Sequence, residues 1–144
     1  MILYTSHVDD VDWPRLIADL EADRFHNGRT PAELETSFRN SAVVALAWDR
    51  DRVVGTARAL SDGVCNAYVV DVWTSSPYRR RGIARRMMES IEERVRGQHV
   101  YLFTHDAGPL YESLGYRRDG TGFAKVVGAW LDRDSPAQME EPSE

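Results

Sequence analysis

The sequence predicts a single α+β domain with a central, mostly antiparallel sheet. Stretches rich in β-branched and aromatic residues alternate with stretches of helical periodicity, in the order β-α-α-β-β-β-α-β-α-β. The 144 residues are enough for one domain, and 42% apolar with 28% charged side chains is an ordinary globular composition. We therefore expect one domain over residues 1–131 and a polar, disordered tail with two prolines over residues 132–144.

The first predicted elements are a short strand and two helices. Residues 2–5 have the composition of a strand, and apolar residues recur at helical spacing over residues 13–20. A second helix is predicted to follow Thr30, because Thr30 and Glu33 form the pattern of a capping box around Pro31.

Three strands are predicted next. Residues 42–48 and 52–60 are rich in strand-forming side chains, and the tight polar segment 49–51 between them predicts a hairpin. Residues 67–73 form another such run after the turn-forming segment 61–63. The hairpin accounts for the antiparallel character that we expect of the sheet.

The strongest helical pattern lies over residues 83–96. Its apolar positions form one stripe, its charged positions form the opposite face, and Gly97 ends it. Beyond this helix we expect a strand over residues 99–103, a short helix over residues 109–114 and a final strand over residues 123–130.

Composition and charge exclude several classes of function. A net charge of -5 argues against a general nucleic-acid binder. No apolar stretch is long enough to span a bilayer, and residues 1–6 lack the basic region and apolar core of a signal peptide. The single cysteine, Cys65, excludes an internal disulfide, so we expect a cytoplasmic protein that does not act at a membrane. The four histidines show no metal-ligand spacing, and no metal site is expected.

Five arginines fall within eight residues of this acidic protein. They are Arg79, Arg80, Arg81, Arg85 and Arg86. A charge run is most often a solvated surface, but a patch this compact also suits a small polyanionic ligand better than a long polymer.

The order of strand, glycine-bearing turn and helix around these arginines predicts a phosphate cradle. The N-terminus of a helix presents unpaired N–H groups and a partial positive charge. Gly82 permits close approach of the backbone, and Ala84 keeps the first helical turn small. The segment lacks the Gly-Lys-Ser/Thr ending of a Walker loop and the glycine spacing of a dinucleotide fingerprint, which excludes both of those classes.

Two motifs in this order resemble those of a known enzyme family. Residues 79–84, Arg-x-x-Gly-x-Ala, resemble the coenzyme A signature of the GNAT superfamily of N-acetyltransferases, and residues 72–74 resemble its splayed strand. Residues 110–116, Leu-Tyr-Glu-Ser-Leu-Gly-Tyr, resemble its tyrosine-bearing helix. The resemblance covers residues 1–131 and implies a mixed, mostly antiparallel sheet flanked by helices, with acetyl-coenzyme A (acetyl-CoA) as co-substrate.

The resemblance also assigns roles to individual residues. Those implied to bind acetyl-CoA are Val72, Trp73, Thr74, Arg79, Arg80, Arg81, Gly82, Ile83, Ala84 and Arg85. The Val72 N–H is the implied oxyanion donor, and Tyr111 is the implied proton donor to the leaving thiolate. Asp71 and Tyr68 are candidates for the proton acceptor. Two structural alternatives stay open: Tyr111 as a core residue, and Asp71 as a bulge cap or the partner of an arginine.

The expected activity is acetyl transfer to a primary amine that attacks the thioester directly. A small-molecule acceptor is expected because no extended basic or low-complexity docking segment is present. Residues 71–72, 102–104 and 111–115 carry a weaker similarity to plant chloroplast arylalkylamine acetyltransferases. Trp13, Phe25 and His26 either shape an aromatic-accepting pocket or belong to the core. A peptide acceptor, and a regulatory module that binds acetyl-CoA without turnover, remain as alternatives. Homodimers are common in the family, but the sequence shows no interface signature.

Overall fold

The computed structural model describes residues 1–133 and contains a five-stranded sheet with helices on both faces. In chain order the elements are β1 (Leu3–Thr5), α1 (Trp13–Ala22), α2 (Pro31–Arg39), β2 (Val43–Asp49), β3 (Arg52–Ser61), β4 (Asn66–Thr74), α3 (Ile83–Arg94), β5 (His99–Tyr101) and α4 (Gly108–Ser113). Short 3-10 turns cover Ser76–Tyr78 and Trp130–Asp132. The predicted α+β architecture is confirmed.

The five strands lie in the sheet in the same order as in the chain. The first four pair antiparallel, whereas β5 joins β4 in parallel, with α3 as the crossover that a parallel pair needs. This parallel pairing joins Asn66–Tyr68 to His99–Tyr101 and ends there. Within the described residues, the rest of β4 therefore has no strand on its β5 side.

The helices α1 and α2 cover one face of the sheet. The Thr30 hydroxyl accepts from the Glu33 N–H at 3.2 Å, and the Glu33 carboxylate accepts from the Thr30 N–H at 2.9 Å, so the predicted capping box is present. Trp13 and Phe25 are only 8% and 1% exposed in the apolar cluster beneath these helices. Both are core residues and do not line an acceptor pocket.

The helix α3 packs on the opposite face, close against β3. Gly55 permits this approach, because a Cβ at that position would lie 3.1 Å from both Ile83 Cγ2 and Met87 Cε. Such distances are shorter than ordinary packing contacts, so a larger residue would push the helix away. Ile83 is the first residue of α3, and the bare backbone of Gly55 therefore sets where the N-terminus of α3 rests.

The final strand predicted over residues 123–130 is not formed. Phe123 and Val127 are 91% and 86% exposed, and the segment has no strand partner among the described residues. Gly120 precedes the segment and Gly128 lies within it, and both have left-handed conformations that interrupt an extended chain. Its β-branched and aromatic side chains fit the pattern of a strand. Such side chains favour a strand only where a neighbouring strand and a sheet surface are available to pack against them.

The end of the described chain is tied to the segment between α1 and α2. The Trp130 indole donates to the Asn27 carbonyl at 2.8 Å. The Arg133 guanidinium donates to the Gly28 carbonyl at 2.5 Å and also pairs with Glu33. Arg133 lies at the start of the predicted tail, and the remainder of that tail, residues 134–144, is outside the described residues.

In residues 1–133 no helix is both long and apolar enough to cross a bilayer, and no three His, Cys, Asp or Glu side chains are placed to share a metal ion. Cys65 is exposed in the turn before β4. Its hydrogen bond with Asp62 raises the pKa of the thiol and makes it a weaker source of nucleophilic thiolate.

Candidate active site

A cleft of about 310 Å³ opens where β4 continues past the end of its pairing with β5. One wall is the end of β4, another is the N-terminal turn of α3, and the third is the helix α4. The lining residues are Val72, Trp73, Thr74, Tyr78, Arg79, Arg80, Gly82, Ile83, Ala84, Arg85, Ala107, Leu110 and Tyr111. The sequence-predicted cofactor residues are thus brought together, with the exception of Arg81.

The start of α3 provides a cluster of backbone N–H donors. Gly82 is the N-cap in a left-handed conformation with φ of 78°, and the helical hydrogen bonds begin with the Arg86 N–H donating to the Gly82 carbonyl. The N–H groups of residues 83–85 precede that bond and have no partner within the helix. No acidic side chain occupies the first turn. These donors, with the positive end of the helix dipole, suit an anion such as a pyrophosphate.

The arginines of the turn have different surroundings. The Arg79 Nε donates to the Thr74 carbonyl at 3.0 Å, and its guanidinium lies 3.5 Å from the Asp23 carboxylate. Arg80 lines the cleft. Arg81 lies over the ring of Tyr78, 5.2 Å from its centroid, and does not line the cleft. Among these three, Arg80 is therefore the cation best placed to contact a ligand in the cleft.

Asp23, at the C-terminal end of α1, holds in place the turn between β4 and α3. Its carboxylate accepts from the Trp73 indole N–H at 2.9 Å, from the Ser76 N–H at 3.2 Å and from the Ser76 hydroxyl. Together with Arg79 these contacts join α1 to the end of β4. Sequence reasoning missed Asp23, because its partners lie about fifty residues away and no local motif marks it.

The hydroxyl group of Thr74 is a buried polar group at the wall of the cleft. Its Oγ1 atom is buried and, among the described residues, has no hydrogen-bond partner. A buried hydroxyl without a partner costs free energy, which a bound polar group can recover. Because Thr74 lines the cleft, the residues present fit an extended ligand that carries amide groups behind its phosphates, as acetyl-CoA does.

Tyr111 lies at the junction of this cleft and a second cavity. It is 3% exposed and lines both the first cleft and an adjoining cavity of about 300 Å³ between β5, α4 and residues 116–122. Its ring meets Tyr116 edge to face, with centroids 5.9 Å apart. Burial, and then the proximity of Glu92, raise the pKa of Tyr116. Of this pair of tyrosines, Tyr111 borders the cleft and Tyr116 does not.

Asp71 is the centre of a buried ion cluster. Arg29 donates to both of its carboxylate oxygens, at 2.8 and 3.0 Å, and Arg58 donates to one of them at 2.7 Å. Burial by itself raises the pKa of Asp71, but the two guanidiniums outweigh it and hold the pKa below its usual range. A carboxylate stabilised in this way is a poor proton acceptor. The geometry supports the ion-pair alternative for Asp71.

The Asp71 cluster also shapes the backbone of β4. Asp71 has φ of 56°, and the register with β3 shifts at this point, between Thr56 and Arg58. The Thr56 hydroxyl donates to the Asp71 carbonyl at 2.8 Å, which holds the bulge from the neighbouring strand. The bulge directly precedes Val72, the implied oxyanion donor. Asp71 therefore positions the strand beside the cleft.

Tyr68, the other candidate proton acceptor, lies away from the cleft. Its neighbours Ala67 and Val69 point into the cluster under α3, so Tyr68 points to the opposite face of the sheet. It is 37% exposed there, with its ring edge-on to Phe103 at 6.1 Å. The structure thus places Tyr68 and Tyr111 on opposite faces of one sheet.

Comparison with known proteins agrees with this fold. The model of the GNAT acetyltransferase family matches residues 8–116, and the chain belongs to that family. A GNAT-family acetyltransferase from Streptococcus pneumoniae is 26% identical, with TM-score 0.69 over 88% of this chain and 98% of that one. Glucosamine-6-phosphate N-acetyltransferase from Arabidopsis thaliana is 14% identical, with TM-score 0.72 over 89% and 99%. A predicted acetyltransferase from Clostridium acetobutylicum, solved with acetyl-CoA, is 20% identical, with TM-score 0.65 over 94% and 100%.

We predict different contributions from the adjacent Arg80 and Arg81 to acetyl-CoA binding. Arg80→Gln removes a cation from the cleft lining, and the loss of one charge-assisted hydrogen bond costs about 1.5–3 kcal/mol, at least a ten-fold rise in Kd. Arg81→Gln, the matched control, should leave Kd within about three-fold because its guanidinium stacks on Tyr78. Isothermal titration calorimetry measures both. Equal effects of the two substitutions would contradict the assignment.

We predict that Asp71→Asn destabilises the fold by about 3–5 kcal/mol, because it leaves two buried guanidiniums without a counter-charge. The folded-state pKa of Asp71 is lowered, so its contribution is present above the unfolded pKa near 4 and is lost as pH falls through the folded-state pKa. The difference between wild type and variant should therefore shrink below about pH 4. Urea unfolding monitored by tryptophan fluorescence measures both quantities.

Asp19→Asn is the control for this experiment. Asp19 also binds an arginine through both oxygens, at 2.7 and 3.0 Å, but its partner Arg52 is 44% exposed. A surface pair of this kind contributes about 1 kcal/mol or less. If Asp71→Asn cost no more than Asp19→Asn, the Asp71 cluster would not have the structural role assigned to it.

Proposed function

We propose that the protein is an acetyl-CoA-dependent N-acetyltransferase that acetylates the primary amine of a small molecule by direct attack on the thioester. The observation that supports this most strongly is the single cleft in which the anion-binding start of α3, the end of β4 and Tyr111 come together. Bound acetyl-CoA would supply an activated acetyl group to this cleft. Family membership supports acetyl transfer in general, and the acceptor is part of the proposal.

Different parts of the cleft would bind different parts of acetyl-CoA. Arg80 and the N–H groups of residues 83–85 face the position of the pyrophosphate, where positive charge and unpaired donors are concentrated. Thr74 and the exposed backbone edge of β4 are available to the pantetheine arm. Most of the rate acceleration in such a reaction comes from holding the two reactants in one geometry.

The chemical steps require a donor to the oxyanion and a donor to the thiolate. The Val72 N–H, which follows the bulge at Asp71, is the proposed oxyanion donor, because the edge of β4 is free of β5 at that position. Tyr111 is the proposed proton donor to the thiolate. A phenol is protonated at neutral pH and can reprotonate a thiolate whose ordinary pKa is about 8.5.

The amine must reach the reaction without its proton. An alkylamine has a pKa near 10, and only its neutral form is a nucleophile. Asp71 is a poor acceptor for that proton because two arginines stabilise its charged form. We propose that solvent water takes the proton, since the phenol of Tyr68 already carries its own proton at neutral pH and has no free site for a second one. The rate with limiting amine should then increase with pH up to the pKa of the amine.

The experiment that tests this proposal is an acceptor screen that detects free thiol from acetyl-CoA. We expect turnover with small primary amines, and log kcat/KM for the amine should increase linearly with pH between about 6 and 9. Peptides with free N-termini or lysines form a second arm. Faster turnover with peptides would identify a protein-directed enzyme, and binding of acetyl-CoA without turnover in either arm would identify a regulatory module.

We predict that Tyr111→Phe lowers kcat by 10²–10⁴-fold while the Kd for acetyl-CoA changes little. The substitution keeps the ring, and therefore its apolar packing, and removes the hydroxyl group that carries the transferable proton. Steady-state kinetics and calorimetry measure the two effects separately. Tyr116→Phe is the control, since that phenol borders the adjoining cavity and not the cleft. A Tyr111→Phe enzyme with near-normal kcat, when chemistry limits the rate, would make Tyr111 a packing residue.

A further inference from the structure

A row of large side chains crosses three strands on the sheet face opposite α3. Leu60 of β3 is paired with Tyr68 of β4, and Tyr68 is paired with Tyr101 of β5. Directly paired residues point to the same face of a sheet, so the three side chains lie side by side. Phe103 extends the row, with its ring edge-on to Tyr68. We call these four residues the aromatic platform.

The aromatic platform is exposed, whereas the rest of this sheet face is covered. Leu60, Tyr68, Tyr101 and Phe103 are 42%, 37%, 45% and 55% exposed. On the same face, the helices α1 and α2 bury the apolar residues of β2 and the start of β3. A contiguous exposed group of this kind on an otherwise well-packed sheet commonly marks a binding site.

The aromatic platform adjoins the point where acetyl transfer is proposed. Tyr68 and Tyr101 form the last pair between β4 and β5, and the gap between these strands begins there. The acetyl-CoA cleft lies across the gap, on the face that carries α3 and α4. An acceptor bound on the aromatic platform would thus present its amine to the acetyl group through the gap, from the face opposite the cofactor.

Size and charge indicate the kind of molecule that fits. Four side chains, each about half exposed, present roughly 400 Å² of apolar surface, against about 800 Å² per partner in a standard stable interface. This area suits a small molecule better than a second copy of the chain. On the same sheet face, Arg29 and Arg58 outnumber Asp71, so the ion cluster next to the aromatic platform carries a net positive charge. That charge disfavours an acceptor with several ammonium groups.

We infer that the aromatic platform binds the apolar body of the acceptor, and that the acceptor is a monoamine with an aromatic or similarly broad apolar group. The inference rests on the proposed function, since it concerns the second substrate of that site. It assigns to Leu60, Tyr101 and Phe103 a role in acceptor specificity. The cofactor cleft and Tyr111 do not depend on it.

Equilibrium binding tests the inference independently of turnover. The protein saturated with coenzyme A is titrated with 2-phenylethylamine, n-propylamine and spermidine in a calorimeter. We expect 2-phenylethylamine to bind at least ten-fold more tightly than the other two amines. Phe103→Ser and Leu60→Ser, at opposite ends of the aromatic platform, should each remove most of this preference. Phe123→Ser, at a 91% exposed aromatic outside the aromatic platform, should not change it.

The same variants assayed for turnover separate the inference from the proposed function. An increase in KM for 2-phenylethylamine of at least ten-fold in Phe103→Ser and Leu60→Ser, with unchanged KM for acetyl-CoA and unchanged kinetics with n-propylamine, supports both. Selective binding of 2-phenylethylamine without acetylation supports the inference and overturns the proposed enzyme. Acetylation of all three amines with equal kcat/KM, unaffected by either substitution, overturns the inference and leaves the enzyme intact.

Size-exclusion chromatography with light scattering completes the test. If the wild-type protein is a dimer and Phe103→Ser or Leu60→Ser converts it to a monomer, the aromatic platform is an interface between copies, and the inference is wrong. An oligomeric state that is the same in wild type and both variants, together with the loss of amine preference, supports the acceptor site.

Discussion

Asp71 is a carboxylate in the interior of the domain, and a charge in that position has to be compensated where it lies. Two guanidiniums compensate it, and each comes from a different part of the chain: Arg29 from the segment between α1 and α2, and Arg58 from β3. Because Asp71 also occupies the left-handed position of the β4 bulge, its ion pairs fix the direction of the strand that continues to Val72. One buried interaction thus connects the helical cover of one sheet face to the edge of the cleft on the other.

A second carboxylate, Asp23, makes a similar connection on the cofactor side. It binds the Trp73 indole, the turn at Ser76 and the guanidinium of Arg79, and so attaches the end of α1 to the turn between β4 and α3. Asp23 and Arg29 lie at the two ends of one short connection between α1 and α2. This one connection therefore contacts both the bulge of β4 and the turn that precedes α3.

The incomplete pairing of β4 with β5 is the structural basis of the proposed arrangement of two substrates. Where the pairing ends, the sheet has a gap with Tyr111 on the α3 face and Tyr68 on the opposite face. Reactants that approach from opposite faces do not compete for the same surface, and the strand edge between them aligns both. In such an arrangement the protein contributes mainly by fixing distance and orientation. The cleft carries the positive charge that the proposed pyrophosphate site requires, whereas the opposite face presents the apolar side chains of the aromatic platform.

The sequence by itself determined the elements whose signals are local. The capping box at Thr30, the hairpin and the helix that begins after Gly82 depend on residues a few positions apart, and the structure has them where the patterns predicted. The partners of Asp71 were not predictable from the sequence. Arg29 is 42 residues away, and no local pattern around a single arginine shows which carboxylate it will bind. The strand predicted over residues 123–130 is missing for a related reason, since its pattern is correct but no strand edge accepts it. Burial, charge compensation and strand pairing are properties of surfaces that exist only after the chain has folded, so the tertiary structure alone decided them.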